Sequence, residues 1–352
     1  MSVTIYDIAR RANVGVGTVS RVLNNHPSVS PATRAHVIAI AAELDYRPNA
    51  SAQRLARKKS RTITVIMPYI TNYFFVEMLR GIQDMLFQAD YDLLLYGVNH
   101  PKQIEGYMHR SLRVGHADGI LLASLDPPAG FSRANMPENF PLIMLDRKHA
   151  EFDSFSVESI EGARIATQHL LSLGHTRLGM ITGYADTIPS IERSEGYKAA
   201  IAAHGALNMG IFHPESESVN DGFSKDAGDE IMLRILDLPA DKRPTALFIA
   251  SDIQAIGAMH ALRERGLTCP DDMSIVGFDD VELSQYYGIT TMRQPIATLG
   301  ALATARLFER LDHPSIEIEH RTFTPELIVR RTTQKAQQPE GCVLHLHETE
   351  RA

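Results

Sequence analysis

Apolar positions follow two different rhythms along this chain, and the change falls near residue 61. Before it, apolar side chains recur three and four residues apart: Ile5, Ile8, Ala9 and Ala12, then Val19, Val22 and Leu23, then Val37, Ala41 and Leu44. That spacing predicts one buried stripe on each of three short helices. From Thr62 onward the apolar residues come in unbroken runs: TITVIMP, DLLLYGV, GILLAS, PLIMLD, RLGMITG, TALFIAS and SIVGFDD. Between them lie helical stretches around 74–89, 102–114, 160–173, 192–204 and 253–265. Apolar runs joined by helices predict parallel strands buried on both faces. About 270 residues of this rhythm predict two sheets, with ligands favoured outside the carboxyl ends of the strands.

Thr4 is placed to cap the first helix, and Asp7 at its third position suits the free amide groups and the positive dipole end. Asn13 tolerates a left-handed turn, so the first two helices can be joined without glycine. Val16, Gly17, Thr18, Ser20 and Arg21 are then left on the outer face of the second helix. A short face of hydroxyls and one base suits a DNA major groove, and it also fits an ordinary helical hairpin. Ser30-Pro31 opens the third helix, and Tyr46 packs where it stops. Arg47-Pro48 forces an extended step, after which Asn49 can cap a short helix over 50–57 with Leu55 as its one large apolar residue. A helix this short does not hold alone in water. It reads either as a hinge that orders in a DNA minor groove, with Leu55 wedged between base steps, or as a plain basic linker.

Charge sharpens the division. Residues 1–61 carry ten Lys and Arg against three Asp and Glu, a net +7, whereas the other 291 residues carry 25 against 39, a net −14. A basic head on an acidic body implies a nucleic-acid module joined to something that does not bind nucleic acid. There is no basic start leading into an apolar core, and no run of 18 apolar residues, so a cytoplasmic protein with no membrane partner is expected. Cys269 and Cys342 form neither a disulfide framework nor a ligand cluster, and no metal or cofactor is expected.

To about residue 333 the chain resembles the lac repressor (LacI/GalR) family of bacterial transcription regulators. The likeness is carried by TIYDIARRANVGVGTVSRVLNN, SPATRAHVIAIAAELDYRPNASAQRLA, NYFFVEMLRGI, HLLSLGHTRLGMITG, RSEGYKAAI, PTALFIASD, SIVGFDD and ELIVRRTT. It implies a multidomain protein: a helix-turn-helix head at 1–48, a hinge at 49–61, and a two-lobed α/β body like periplasmic sugar-binding proteins at 62–333. The lobes are expected at about 62–157 with 295–323 and at 158–290 with 324–333, followed by a disordered tail at 334–352. By the same likeness the chain is a homodimer gripping a pseudo-palindromic double-stranded operator, with a small-molecule effector, a sugar or sugar derivative, between the lobes. Val16 and Gly17 lie at base-reading positions with Arg21 nearby, Thr18 and Ser20 on phosphate, and Leu55 at the intercalating position. Thr4, Tyr6, Asn24, Asn49 and Ala52 complete the DNA-contacting set. The effector set is Asn72, Phe74, Phe75, Asp146, Arg147, Arg193, Phe223, Ser251, Asp279 and Gln294. Gly15 departs from the family's usual Ser, removing a hydroxyl that could cap the second helix, and Ser251 replaces a common Asn.

Other functions fit less well. Asp279 and Asp280 are adjacent on a strand and point to opposite faces, so they cannot share one substrate atom as a catalytic pair. No GxxxxGK loop or HExxH motif occurs, and His169 and His175 read as structural. A solute receptor would account for the body but not for the basic head. A catabolite regulator using a phosphocarrier protein as co-repressor stays open within the regulator class. The tail has no leucine heptads, which favours a dimer over a tetramer.

Overall fold

The computed structural model describes residues 3–24, 26–46, 60–100, 102–215 and 220–337. The chain divides into two compact units, one comprising residues up to Arg61 with 113–118, the other the remainder. The first holds α1 (Ile5–Ala12), α2 (Val16–Leu23) and α3 (Pro31–Glu43). Asn13 turns through φ 52° and ψ 44°, the left-handed step expected between α1 and α2. The Asp7 carboxylate accepts from the Thr4 amide at 3.0 Å and from its hydroxyl at 2.7 Å, which holds the Asp7 carboxyl below its ordinary range. Ser30 Oγ accepts from the Thr33 amide at 3.2 Å and caps α3. Ile8, Val19 and Val37 are fully buried and meet with Ala9, Ala12, Val22, Ile40 and Ala41. Each of the larger side chains contributes about 1.5–3 kcal/mol by burial.

The second unit carries two six-stranded sheets. The first contains β1 (Thr62–Pro68), β2 (Asp92–Val98), β3 (Gly119–Ala123), β4 (Leu142–Leu145), β5 (Asp153–Val157) and β11 (His320–Phe323), in the order β11-β5-β4-β3-β1-β2. The second contains β6 (Arg177–Ile181), β7 (Leu207–Phe212), β8 (Ala246–Ile249), β9 (Ser274–Asp279), β10 (Thr290–Arg293) and β12 (Glu326–Ile328), in the order β12-β10-β9-β8-β6-β7. Every pairing is parallel except that of β10 with β12. Strands β1, β3, β4, β8 and β9 are buried throughout, which is why they read as continuous apolar runs.

Helices α4 (Tyr73–Gln88), α5 (Lys102–Ser111) and α11 (Ile296–Asp312) pack on the first sheet. Helices α6 (Ser159–Ser172), α7 (Ile188–His204), α8 (Lys225–Leu236), α9 (Asp252–Glu264) and α10 (Glu282–Tyr287) belong to the second. The chain passes between the lobes three times, after β5, after β10 and after β11. Close backbone contact fixes the helix pairs. A Cβ on Gly81 of α4 would stand 1.8 Å from the Ala297 carbonyl oxygen of α11, and one on Gly228 of α8 would stand 2.1 Å from that of Gln254 in α9.

Several elements carry no clear sequence signal. Strand β5 reads DSFSV, and its polar residues are buried because neighbours satisfy them: Asp153 accepts from Arg306 Nε at 2.7 Å and Arg310 Nε at 2.6 Å. Helix α7 starts at Ile188, four residues before the expected Glu192, with Pro189 in its first turn where its missing amide hydrogen costs nothing. The first four residues of the tail depart from the expected disorder. Gln334 N donates to Ser274 Oγ at 3.1 Å and Ala336 N to the Leu173 carbonyl at 2.8 Å, so 334–337 are held against the second lobe.

Candidate DNA-binding helix and ligand cleft

On α2, Gly17 and Arg21 are exposed and Thr18 and Ser20 half-buried. Val16 departs from the expectation of an outward position: it is half-buried and packs on the head core. Gly15 is the N-cap of α2 and supplies no side-chain bond, as its lost hydroxyl implies. The Thr4 hydroxyl is engaged with Asp7, Tyr6 is 65% exposed, and Asn24 Nδ2 donates to the Ser20 carbonyl at 2.9 Å at the end of α2. Asn49, Ala52 and Leu55 lie outside the described residues.

In the body, a cavity of about 440 Å³ opens between the carboxyl ends of the two sheets. Nine of the ten expected residues line it: Asn72, Phe74, Phe75, Asp146, Arg147, Arg193, Phe223, Ser251 and Asp279. Gln294 does not. It stands behind Asp279, donating from Nε2 to Oδ1 at 2.6 Å, and so positions the carboxylate instead of facing the cavity. Asn72 and Ser251 line the cavity while spending their side-chain oxygens as caps, on the Phe74 amide at 3.0 Å and the Gln254 amide at 3.2 Å.

Each lobe presents an Arg beside an Asp. In the first, Arg147 Nη1 donates to the Asp146 carbonyl at 2.7 Å and lies 3.6 Å from its carboxylate, which accepts from Ser124 Oγ at 2.6 Å. In the second, Arg193 Nη2 lies 3.7 Å from Asp279 Oδ1, its guanidinium sits 4.0 Å over the Phe278 ring, and Nη1 donates to the Ala250 carbonyl. The Nε atoms of Arg147 and Arg193 are buried without a partner. Burial pushes the Asp279 carboxyl up, with Arg193 pulling the other way. The first lobe supplies a third feature, Tyr69, whose hydroxyl donates across the cleft to Asp221 at 2.5 Å; burial and that carboxylate push the phenol up. Tyr69, Ser124, Asp146 and Asp221 all have positive φ, 45°, 51°, 57° and 53°. Such backbone costs about 1–3 kcal/mol per residue and clusters at functional sites.

A profile of bacterial regulatory proteins of the lacI family matches residues 4–49, and one of periplasmic binding protein-like domains matches 167–333. The chain is 34% identical over 333 residues to the ribose operon repressor of Escherichia coli (strain K12), covering 93% of this chain and 98% of that relative. The chain belongs to the LacI family. It is 31% identical over 331 residues to catabolite control protein A of Priestia megaterium, covering 91% of this chain and 98% of that protein. The crystal structure of the lac repressor dimer bound to operator and the anti-inducer ONPF matches it with a TM-score of 0.79 at 26% identity, over 95% of this chain and 100% of that one.

As a LacI-family member the chain is a DNA-binding transcription regulator, and α2 is the second helix of its helix-turn-helix. Asp252 and Asp280 are held by their neighbours. Asp252 is buried and accepts from the amides of Asp280 and Val281 at 2.7 and 3.3 Å and from the hydroxyls of Ser284 and Thr291 at 2.5 and 2.6 Å. Asp280 is held by Arg293 and Arg330, each at 2.7 Å. Among the described residues no helix is long and apolar enough to cross a membrane, and no group of His, Cys, Asp and Glu could hold a metal ion. Tyr69, Ser124, Asp126, Asp186, Thr187 and Asp221 are among the cavity residues that sequence reasoning missed. Tyr69 and Ser124 directly follow the apolar runs of β1 and β3, so the strand-end rule reaches them. Asp221 sits in an NDG turn and carries no such signal.

Proposed function

We propose that this chain is a repressor that binds a pseudo-palindromic operator as a homodimer and releases or tightens its grip when a sugar or sugar derivative occupies the cleft. The carrying observation is the Asp–Arg pair on each wall of that cleft, Asp146 with Arg147 and Asp279 with Arg193, facing aromatic residues. Such pairs bind vicinal hydroxyls from both sides, and an aromatic ring covers the apolar side of a sugar. The chain performs no turnover: the effector changes the angle between lobes and shifts an existing equilibrium. Expected contacts of the head are Val16, Gly17 and Arg21 on bases, Thr18 and Ser20 on phosphate, and Leu55 as the minor-groove wedge. The likeness to catabolite control protein A supports a second reading, in which a phosphocarrier protein acts as co-repressor.

Footprinting of the purified chain on its own genomic DNA, with and without a sugar panel, tests this. Protected two-fold-symmetric sites whose occupancy changes with one sugar are expected. A chain that ignores every duplex at low ionic strength overturns the proposal.

A further inference from the structure

We infer that the cleft takes an uncharged polyol of mono- to disaccharide size and rejects the corresponding sugar acids and sugar phosphates. This rests on the cleft being the effector site. An anionic ligand needs a free cation or free helix amides, and the cavity offers neither in adequate supply. Its two guanidiniums already lie beside their own carboxylates, Asp146 at 3.6 Å and Asp279 at 3.7 Å. Three further acids line the cavity, Asp126, Asp186 and Asp221, and among the described residues no additional Lys or Arg lines it to balance them.

Helix N-termini are the usual phosphate seats. Three of those that border this cavity are compromised. The first turn of α4 is capped by Asn72 and that of α9 by Ser251, where the buried Asp252 carboxylate follows immediately. At α7, Pro189 has no amide hydrogen to give. What remains suits hydroxyls. The carboxylates of Asp146, Asp279 and Asp221 can accept, and a hydroxyl between Arg193 and Asp279 would both accept and donate across the 3.7 Å gap. A cavity of about 440 Å³ lies at the small end of ligand pockets, which excludes an extended oligosaccharide.

Isothermal titration of the full-length chain separates the outcomes, using matched series: glucose, galactose, ribose and cellobiose; glucuronate and galacturonate; glucose 6-phosphate and ribose 5-phosphate. At least one neutral sugar should bind, with its acid or phosphate weaker by about 100-fold or more, the scale of one like-charge contact in a half-buried site. Asp221→Asn should narrow that gap by about tenfold. An acid or phosphate that binds as tightly as its neutral parent, or a panel with no neutral binder, overturns the inference. In those cases footprints on genomic DNA would persist, whereas their absence strikes the regulator reading itself.

Discussion

Replacing Tyr69 by Phe removes one hydroxyl and leaves the ring in place, so it isolates the bond from Tyr69 to Asp221 across the cleft. A hydrogen bond to a charged group contributes about 1.5–3 kcal/mol. Both partners are half-buried, so water competes and the lower end, about 1.5 kcal/mol, is appropriate. Since about 1.4 kcal/mol is a factor of ten, the variant should part the lobes roughly tenfold more often. A second cross-lobe contact provides the control. Arg80 on α4 lies 3.4 Å from Glu282 on α10, but their side chains are 57% and 54% exposed, and pairs of that kind contribute about 0–1 kcal/mol. Hydrogen exchange reads both, because the Tyr184 amide donates to the Asp221 carbonyl at 3.0 Å and the Asn72 amide to the Tyr69 carbonyl at 2.8 Å. In Tyr69→Phe these amides should exchange about tenfold faster, and in Arg80→Ala hardly faster at all. Unchanged protection in the first, or an equal effect in the second, would refute the assignment of Tyr69 as the clasp.

Gly17→Ala should raise the melting temperature of the head, by about 0.5–1 kcal/mol of stability, because an added Cβ meets nothing within 4 Å; operator selectivity should change, and calorimetry with footprinting reads the two effects separately. Asp153→Asn leaves the buried Arg310 without its anion and Arg306 with only Glu309 and Glu319, and should cost about 3–5 kcal/mol in urea denaturation; a loss below about 1 kcal/mol would show the pairing to be incidental. Burial lowers the pKa of His169 and His175 from the ordinary 6.5, so the unfolded chain binds protons first. Their contribution is complete above pH 6.5 and declines on acidification, so the melting temperature followed by circular dichroism should fall below that pH and not rise.

The head was legible almost residue by residue because its determinants are local: a cap, a left-handed Asn and one stripe per helix. Val16 escaped because the edge of a stripe depends on how a neighbouring helix leans. In the body, strands buried on both faces announce themselves, whereas β5 hides behind two serines and Asp153, whose partners Arg306 and Arg310 lie more than 150 residues away. The nine cavity residues were reached through family likeness and the strand-end rule together. Gln294 failed because likeness fixes a position in the chain but not whether a side chain faces the ligand or a neighbouring carboxylate. Asp221 was missed because a turn residue's direction is set by backbone angles that no spacing reveals.

Glycine at the crossing points of α4 with α11 and of α8 with α9 has a mechanical result. Backbone rides directly on backbone there, so those helices cannot slip past one another to absorb strain. Each lobe therefore behaves as a solid block, and displacement started by a ligand has to emerge as torsion in the three straps near 157–159, 293–296 and 323–326. The gain of the sensor is then a property of those straps, and stiffening one would mute the response without touching the ligand's own contacts.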